Sequence, residues 1–188
     1  MSNVSSRVGL GEAQSERGDV ASALHQMPYG IYIVGSVRDG EPNGMIADWV
    51  MQVAFSPHYV VISFENDSYS LESIRGNRAF TVNLLAHRDG DEISLAQHFV
   101  QPHRAAKVKG RIQPLAGSTY QKLEGVDYTT TTRGCPLLDG ALMWLDCTAE
   151  QFIQVGDHTL VIGRAIDGTV IASGVPLTSA DIPWTYSG

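Results

Sequence analysis

The sequence predicts an all-β dominated chain with small helical insertions, arranged as an antiparallel barrel or sandwich. Three observations carry this. Apolar, β-branched and aromatic runs of strand length recur along the chain, at residues 29–37, 59–64, 80–85 and 141–169. The connections between most of them are short, which suits antiparallel neighbours and leaves little room for parallel crossovers. Segments with a helical period are few and brief.

The elements follow in order. Residues 1–19 are polar and rich in Gly and Ser, without a sustained period, and read as a flexible tail. Residues 20–188 read as a single domain. A short helix is expected over Val20–Met27, with Asp19 as N-cap and Pro28 as stop. A strand over 29–37 ends at the turn Asp39-Gly40, a second runs through Gly44–Phe55 to Ser56-Pro57, and a third covers 59–64. Ser70–Arg75 reads as one short helix stopped by Gly76-Asn77, and Phe80–Leu85 as the next strand. A further short helix is expected over Asp91–Phe99, capped by Asp89 or Asp91. Residues 101–127 carry turn signals at Pro102, Gly110, Pro114 and Gly125 and are left unassigned. The longest strand pair, 141–155 and 158–169, is joined by Gly156-Asp157, and the tail ends in Trp184 and Tyr186, rings that need cover.

Composition narrows the function classes. The chain has 188 residues, a net charge of −7, and 43 % apolar against 18 % charged residues, which excludes disorder for the chain as a whole. An acidic total with no long Lys/Arg run argues against nucleic acid as the main partner. No apolar stretch reaches the ~20 residues of a membrane span, and the N-terminus lacks the apolar core of a signal peptide. Cys135 and Cys147 have no metal-ligand spacing and read as reduced, structural thiols. The expected setting is cytoplasmic.

The chemical motifs begin with absences. There is no GxGxxG after a strand, no Walker A, no GxSxG and no HExxH, and the six histidines are scattered, so no metal site is expected. Three arrangements remain, each with two readings. In Asn43–Val50, Gly44 either lets a flat ligand approach the backbone, with Trp49 as a wall, or belongs to a hairpin entering a core strand. In Asp67-Ser68-Tyr69-Ser70, the hydroxyls either help seat a phosphate at a helix N-terminus or supply only the N-cap. In Gly156-Asp157-His158, the imidazole either bonds a substrate or cofactor carboxamide or is a polar flank of a tight turn. A basic cluster of His103, Arg104, Lys107, Lys109 and Arg111 is either an anion-attracting patch or a solvated loop face.

Taken in order, these pieces resemble the flavin reductase-like, FMN-binding split-barrel family over nearly all of the chain after the tail. The resemblance rests on Pro28–Val34, Asn43-Gly44-Met45 through Ala47-Asp48-Trp49, Ser56-Pro57, Ser70, and Phe80-Thr81-Val82-Asn83-Leu84-Leu85. Lys122–Tyr128, Gly134–Leu138 and Gly156-Asp157-His158 continue it. It implies a six-stranded antiparallel split β-barrel that pairs into a homodimer, with FMN, or alternatively FAD, near the subunit interface. It implies hydride chemistry fed by NADH or NADPH. Carried over residue by residue, Met45, Ile46, Ala47, Asp48 and Trp49 would meet the flavin ring, Gln52 would lie beside it, Ser70 would contact phosphate or ribityl, and Asn83 would support the pocket. His158 would be the catalytic residue that places the nicotinamide. Asp48 stands where many members have Asn, Ala54 lacks a hydroxyl that relatives often keep, and Asn66 lies where relatives can carry Lys.

The implied function is that of an NAD(P)H-dependent flavin reductase. Its acceptor would be free flavin for a monooxygenase, an iron chelate or a redox partner protein. Two other readings stay open: a flavoredoxin-like FMN electron-transfer protein, and a non-catalytic flavin- or haem-binding module. The Gly-Asp-His turn favours the enzyme and Asp48 favours the others.

Overall fold

The computed structural model describes residues 20–87, 91–100 and 121–182. The 1–19 tail, the basic cluster at 103–111, Trp184 and Tyr186 lie outside the described residues. Helix α1 (Val20–Leu24) leads into β1 (Tyr32–Arg38), β2 (Glu41–Ala47), β3 (Val50–Phe55) and β4 (His58–Glu65). Then come α2 (Tyr69–Asn77), β5 (Ala79–Leu84), β6 (Ala86–His87) and α3 (Asp91–Val100). The chain closes with β7 (Tyr128–Thr130), β8 (Pro136–Leu138), β9 (Met143–Val155), β10 (His158–Val170) and β11 (Val175–Pro176).

Seven of these strands form one sheet in the order β2-β1-β5-β9-β10-β4-β3, every neighbouring pair antiparallel. Mostly-β architecture with few helices is therefore as expected, but the main sheet has seven strands rather than six. The extra strand arises because Gly44–Phe55 is not continuous. Val50 N–H donates to Asp48 C=O at 2.9 Å, and this tight kink splits the segment into β2 and β3, which keep the same direction. Those two consecutive strands then lie at opposite edges of the sheet. No ladder joins them, so the sheet is open along the seam that Asp48 and Trp49 cross.

Alternation explains how the sheet curls. On β1, Val34 belongs to a core cluster with Ala47, Ile62, Phe64, Phe80, Val82 and Val161, drawn from strands across the whole sheet. Its neighbour Ile33 belongs to a second cluster with Ile46, Leu85, Phe99 and Leu138, outside the curl and beneath α3. Both faces of β1 are thus buried, which is why its sequence is a nearly unbroken apolar run. Each fully buried Phe contributes about 2–3 kcal/mol through the area it removes from water.

Helix α2 covers one end of the curl with Leu71 and Ile74. Its N-cap is Ser68, whose Oγ accepts from Leu71 N–H at 3.5 Å. It runs past the expected Gly76 stop and ends at Arg78, a left-handed residue (φ 60°) whose N–H donates to Ile74 C=O. Asn77 supports that ending by donating to Val37 C=O and accepting from Ala79 N–H, so side-chain capping replaces the glycine.

Asn83 ties the layers together. It is fully buried. Its Nδ2 donates to Ile33 C=O at 3.0 Å, and its Oδ1 accepts from Leu138 N–H at 2.9 Å. This one amide joins β1, β5 and β8. Asn83→Ala leaves a buried donor and a buried acceptor without partners, so a loss of about 3 kcal/mol is expected in urea denaturation. A loss under about 1 kcal/mol would show that the clamp contributes little.

Candidate functional site

The seam gathers much of the predicted site. Among the described residues β2 pairs only with β1, so half of its backbone N–H and C=O groups face away from the sheet they form. Along it, Met45 and Ala47 point into the curl and Ile46 points under α3. The side chains of Ile46 and Ala47 are core, leaving only their backbone for a ligand. Met45 reaches helix α2: its Sδ accepts from Ser68 Oγ at 3.5 Å, which places the helix N-terminus beside the seam. Ser70 is buried in the first turn of that helix, and the capping role falls to Ser68.

Gly44 has a different reason from the predicted one. A Cβ there would overlap the Phe99 ring, so the glycine makes room for α3 on β2 rather than for a flat ligand. A tertiary contact of this kind leaves no local signal in the sequence.

At the crossing, Asp48 is only 8 % exposed while Trp49 is 46 % exposed. Ser63 N–H donates to Trp49 C=O at 3.1 Å, fixing the crossing against β4. The Trp49 ring lies 5.1 Å from that of His158, with planes inclined by 45°. Residues far apart in the chain thus form one aromatic pair on the outer face of the sheet.

His158 is held by its turn. Gly156 takes a left-handed conformation (φ 58°) that allows the tight reversal between β9 and β10. Asn66 clamps the reversal: Nδ2 donates to Gly156 C=O at 3.1 Å, its own N–H donates to Asp157 C=O at 3.0 Å, and Oδ1 accepts from Thr159 Oγ1 at 2.7 Å. Asp157 Oδ1 lies 2.7 Å from His158 Nδ1, a hydrogen bond that also holds the aspartate below the usual carboxylate range. With Nδ1 bonded to a carboxylate, Nε2 is the ring atom left to meet a ligand. Asn66 was noted from sequence only as standing where relatives can carry Lys, and Thr159 was not singled out; their meeting at the Gly-Asp-His turn in the folded sheet gives them this role.

Two predicted residues lie elsewhere. The side-chain amide of Asn83 is engaged within the protein through both Nδ2 and Oδ1, which makes it a structural clamp. Gln52 sits further along β3, donating to Ala54 C=O at 3.1 Å and lining a separate cleft. No group of three or more His, Cys, Asp or Glu side chains suited to a metal gathers among the described residues. Nor is any helix among them long and apolar enough to cross a membrane. Cys135 and Cys147 are free and buried, their thiols pushed up to about 12 by burial.

Comparison with known proteins adds a family. The family described as flavin reductase like domain matches residues 24–181. A ferric-chelate reductase (NAD(P)H) of Archaeoglobus fulgidus is 28 % identical over 160 residues, 85 % of this chain and 86 % of that protein. A high molecular weight rubredoxin of Moorella thermoacetica is 27 % identical over 159 residues, covering 84 % of this chain; the chain spans only 63 % of that relative's length. Among solved structures, an NADH:FAD oxidoreductase of Streptomyces globisporus has a TM-score of 0.65 at 26 % identity, over 80 % of this chain and 81 % of the other.

Burial raises the Asp48 carboxyl above its ordinary value of 3.8, so the native state binds that proton more tightly than the unfolded chain. Stability therefore falls as pH rises from the ordinary range through the raised native value, and levels off above it. Asp48→Asn removes the effect. The variant should melt above the parent at neutral pH, and the gap should close near about pH 4. Melting curves across that range check it; a constant gap would mean that the carboxyl does not titrate differently on folding.

Proposed function

The chain belongs to the flavin reductase-like domain family, and from that membership we propose that it is an NAD(P)H-dependent flavin reductase. The observation that carries the reading is the Trp49–His158 pair at the edge of an open seam. The residues there suit a flavin. The free edge of β2 offers backbone donors and acceptors to a heterocycle edge, the half-exposed indole of Trp49 offers a flat apolar wall, and the first turn of α2 supplies N–H groups suited to a phosphate. FMN is the flavin proposed, with FAD as the alternative and NADH or NADPH as reductant. The chemistry supplied by the bound flavin is hydride acceptance from the nicotinamide and delivery of the electrons to an acceptor.

The chain's own residues position and exclude. Met45–Trp49 present backbone to the ring edge, and Ser70 lies beneath the proposed phosphate seat. Asp157 holds the His158 ring so that Nε2 can meet the nicotinamide carboxamide. Burial shifts the Asp48 carboxyl toward its neutral form beside the proposed ring position. The same residue supports the second reading, an electron-transfer protein that takes its electrons from another protein, because a carboxyl there disfavours an anionic reduced ring.

The reading also includes a homodimeric split barrel. Met51 of β3 is exposed on the outer face, opposite Val61, and Ile153 and Val155 of β9 are exposed on that face as well; Phe55, 84 % exposed, lies past the register shift between Gln52 and Ala54. An apolar sheet face of this kind is a cost in water unless covered, and it is the face that carries Trp49 and His158. A second copy would shield it and complete the flavin seat. Residues 20–188 make up the proposed domain, in a cytoplasmic setting that agrees with two buried free thiols. A monooxygenase or redox protein would be the partner.

Anaerobic mixing of the FMN-loaded protein with NADH or NADPH should bleach the flavin; no bleaching by either nucleotide would remove the reductase reading and leave the electron carrier. His158→Ala should slow bleaching at least about tenfold with flavin affinity nearly unchanged. Equal loss of flavin binding would make His158 structural. Val155→Lys should shift the protein from dimer to monomer in sedimentation, and a parent already monomeric would overturn the dimer.

A further inference from the structure

α2 covers one end of the curled sheet, but the other end is open. There a cleft of about 780 Å³ reaches the core itself. Its floor is formed by Tyr32, Val50, Val60, Val82, Leu145 and Ala165, one from each of six strands and all part of the inner hydrophobic cluster or packed on it. The volume falls within the range of small-molecule sites, and an apolar floor with a few polar groups at the rim is their usual character.

The lining also indicates what would fit. Tyr59 and Trp144 add aromatic surface at the walls, and Met51 and Met143 add adaptable thioethers. Among the described residues, no Lys or Arg lines the cleft. Its one carboxylate, Asp167, accepts from Gly168 N–H at 2.8 Å. A phosphate-bearing nucleotide would find no Lys or Arg here, only the His58 imidazole at the lining and the Asp167 carboxylate against it, so the flavin and nicotinamide are poorly matched to it. Burial favours the neutral phenol of Tyr32, which keeps a hydroxyl available to donate to a carbonyl oxygen. Gln52 lines the cleft three residues beyond Trp49, roughly 10 Å along an extended strand.

We propose that this cleft binds an uncharged, carbonyl-bearing aromatic molecule of the quinone class, and that this molecule is an electron acceptor of the enzyme. The second half rests on the reductase reading; the first does not. The overall step balances as NAD(P)H plus a quinone plus one proton from solvent giving NAD(P)⁺ plus hydroquinone. The nicotinamide C–H bond breaks, its electron pair reduces the quinone, and two O–H bonds form on the former carbonyl oxygens.

Calorimetric titration of the purified, flavin-carrying protein with menadione tests the site. Saturable binding is expected. Ala165→Phe, which fills the floor, and Thr169→Trp, which obstructs the rim at an exposed position, should each weaken it at least tenfold. A sulfonated anthraquinone should also bind at least tenfold more weakly than its uncharged parent. Absence of binding, as when a second copy closes the mouth, or equal binding in the folded Thr169→Trp variant would overturn the site. Equal binding of the sulfonated compound would overturn the charge argument for its ligand class. Anaerobic hydroquinone formation from NAD(P)H tests the second half. If NAD(P)H bleaches the flavin and menadione binds yet no hydroquinone appears, the acceptor role fails while the reductase reading stands. If NAD(P)H bleaches nothing, the reductase reading fails, the acceptor role falls with it, and the binding site is judged by calorimetry alone.

Discussion

The structure depends on how the chain passes from β2 to β3. Strands adjacent in sequence normally pair, yet these two occupy opposite edges of a seven-stranded sheet. With only Asp48 and Trp49 between them, the edges must lie close in space, so the sheet has to curl. The inner cluster, the end covered by α2 and the open mouth all follow from that short link. The crossing also forces Asp48 inward and Trp49 outward. One short segment therefore contributes a buried acid and an exposed indole to the same place.

The positions flanking the crossing show how a site can be stiff without many contacts to a ligand. Asn66 fastens the β9–β10 turn through three hydrogen bonds, and Thr159 links that clamp to Arg75 of α2, whose Nη2 donates to Thr159 Oγ1 at 3.4 Å. Arg75 and Arg78 in turn lie about 5 Å from the Phe152 ring, 5.0 and 4.9 Å from its centroid. The orientation of His158 is thus set by the helix that covers one end of the sheet as much as by its own turn. Where relatives can carry a lysine, this chain uses an amide that bonds inward.

What the sequence made legible was whatever local pattern encodes. β1 and β4 were readable because both are apolar enough to be buried, and the β9–β10 hairpin because Gly156-Asp157 marks its turn. The split at Asp48-Trp49 was not readable, since neither residue is a conventional breaker and the kink comes from edge placement. Gly76 looked like a helix stop, but Asn77 caps the end and moves it to Arg78. Met45–Trp49 and His158 were selected through family resemblance, and their meeting through Trp49 is a tertiary fact. Asn83 could not be distinguished from a cofactor ligand by type alone, because a buried amide serves a clamp and a ligand equally well. The floor of the cleft combines single residues from six strands and has no sequence signature.

The strand order also bears on when the chain can fold during synthesis. β4 finds its inner neighbour only in β10, and β5 only in β9. The first half of the chain can form the local β1–β2 and β3–β4 hairpins, but these are held apart until the last long hairpin leaves the ribosome and slots between them. Such long-range pairing gives slow closure and a period in which strand edges stand open. The β9–β10 hairpin, which carries the Gly-Asp-His turn, is therefore the keystone of assembly, and the nascent chain before it is the stage most in need of a chaperone.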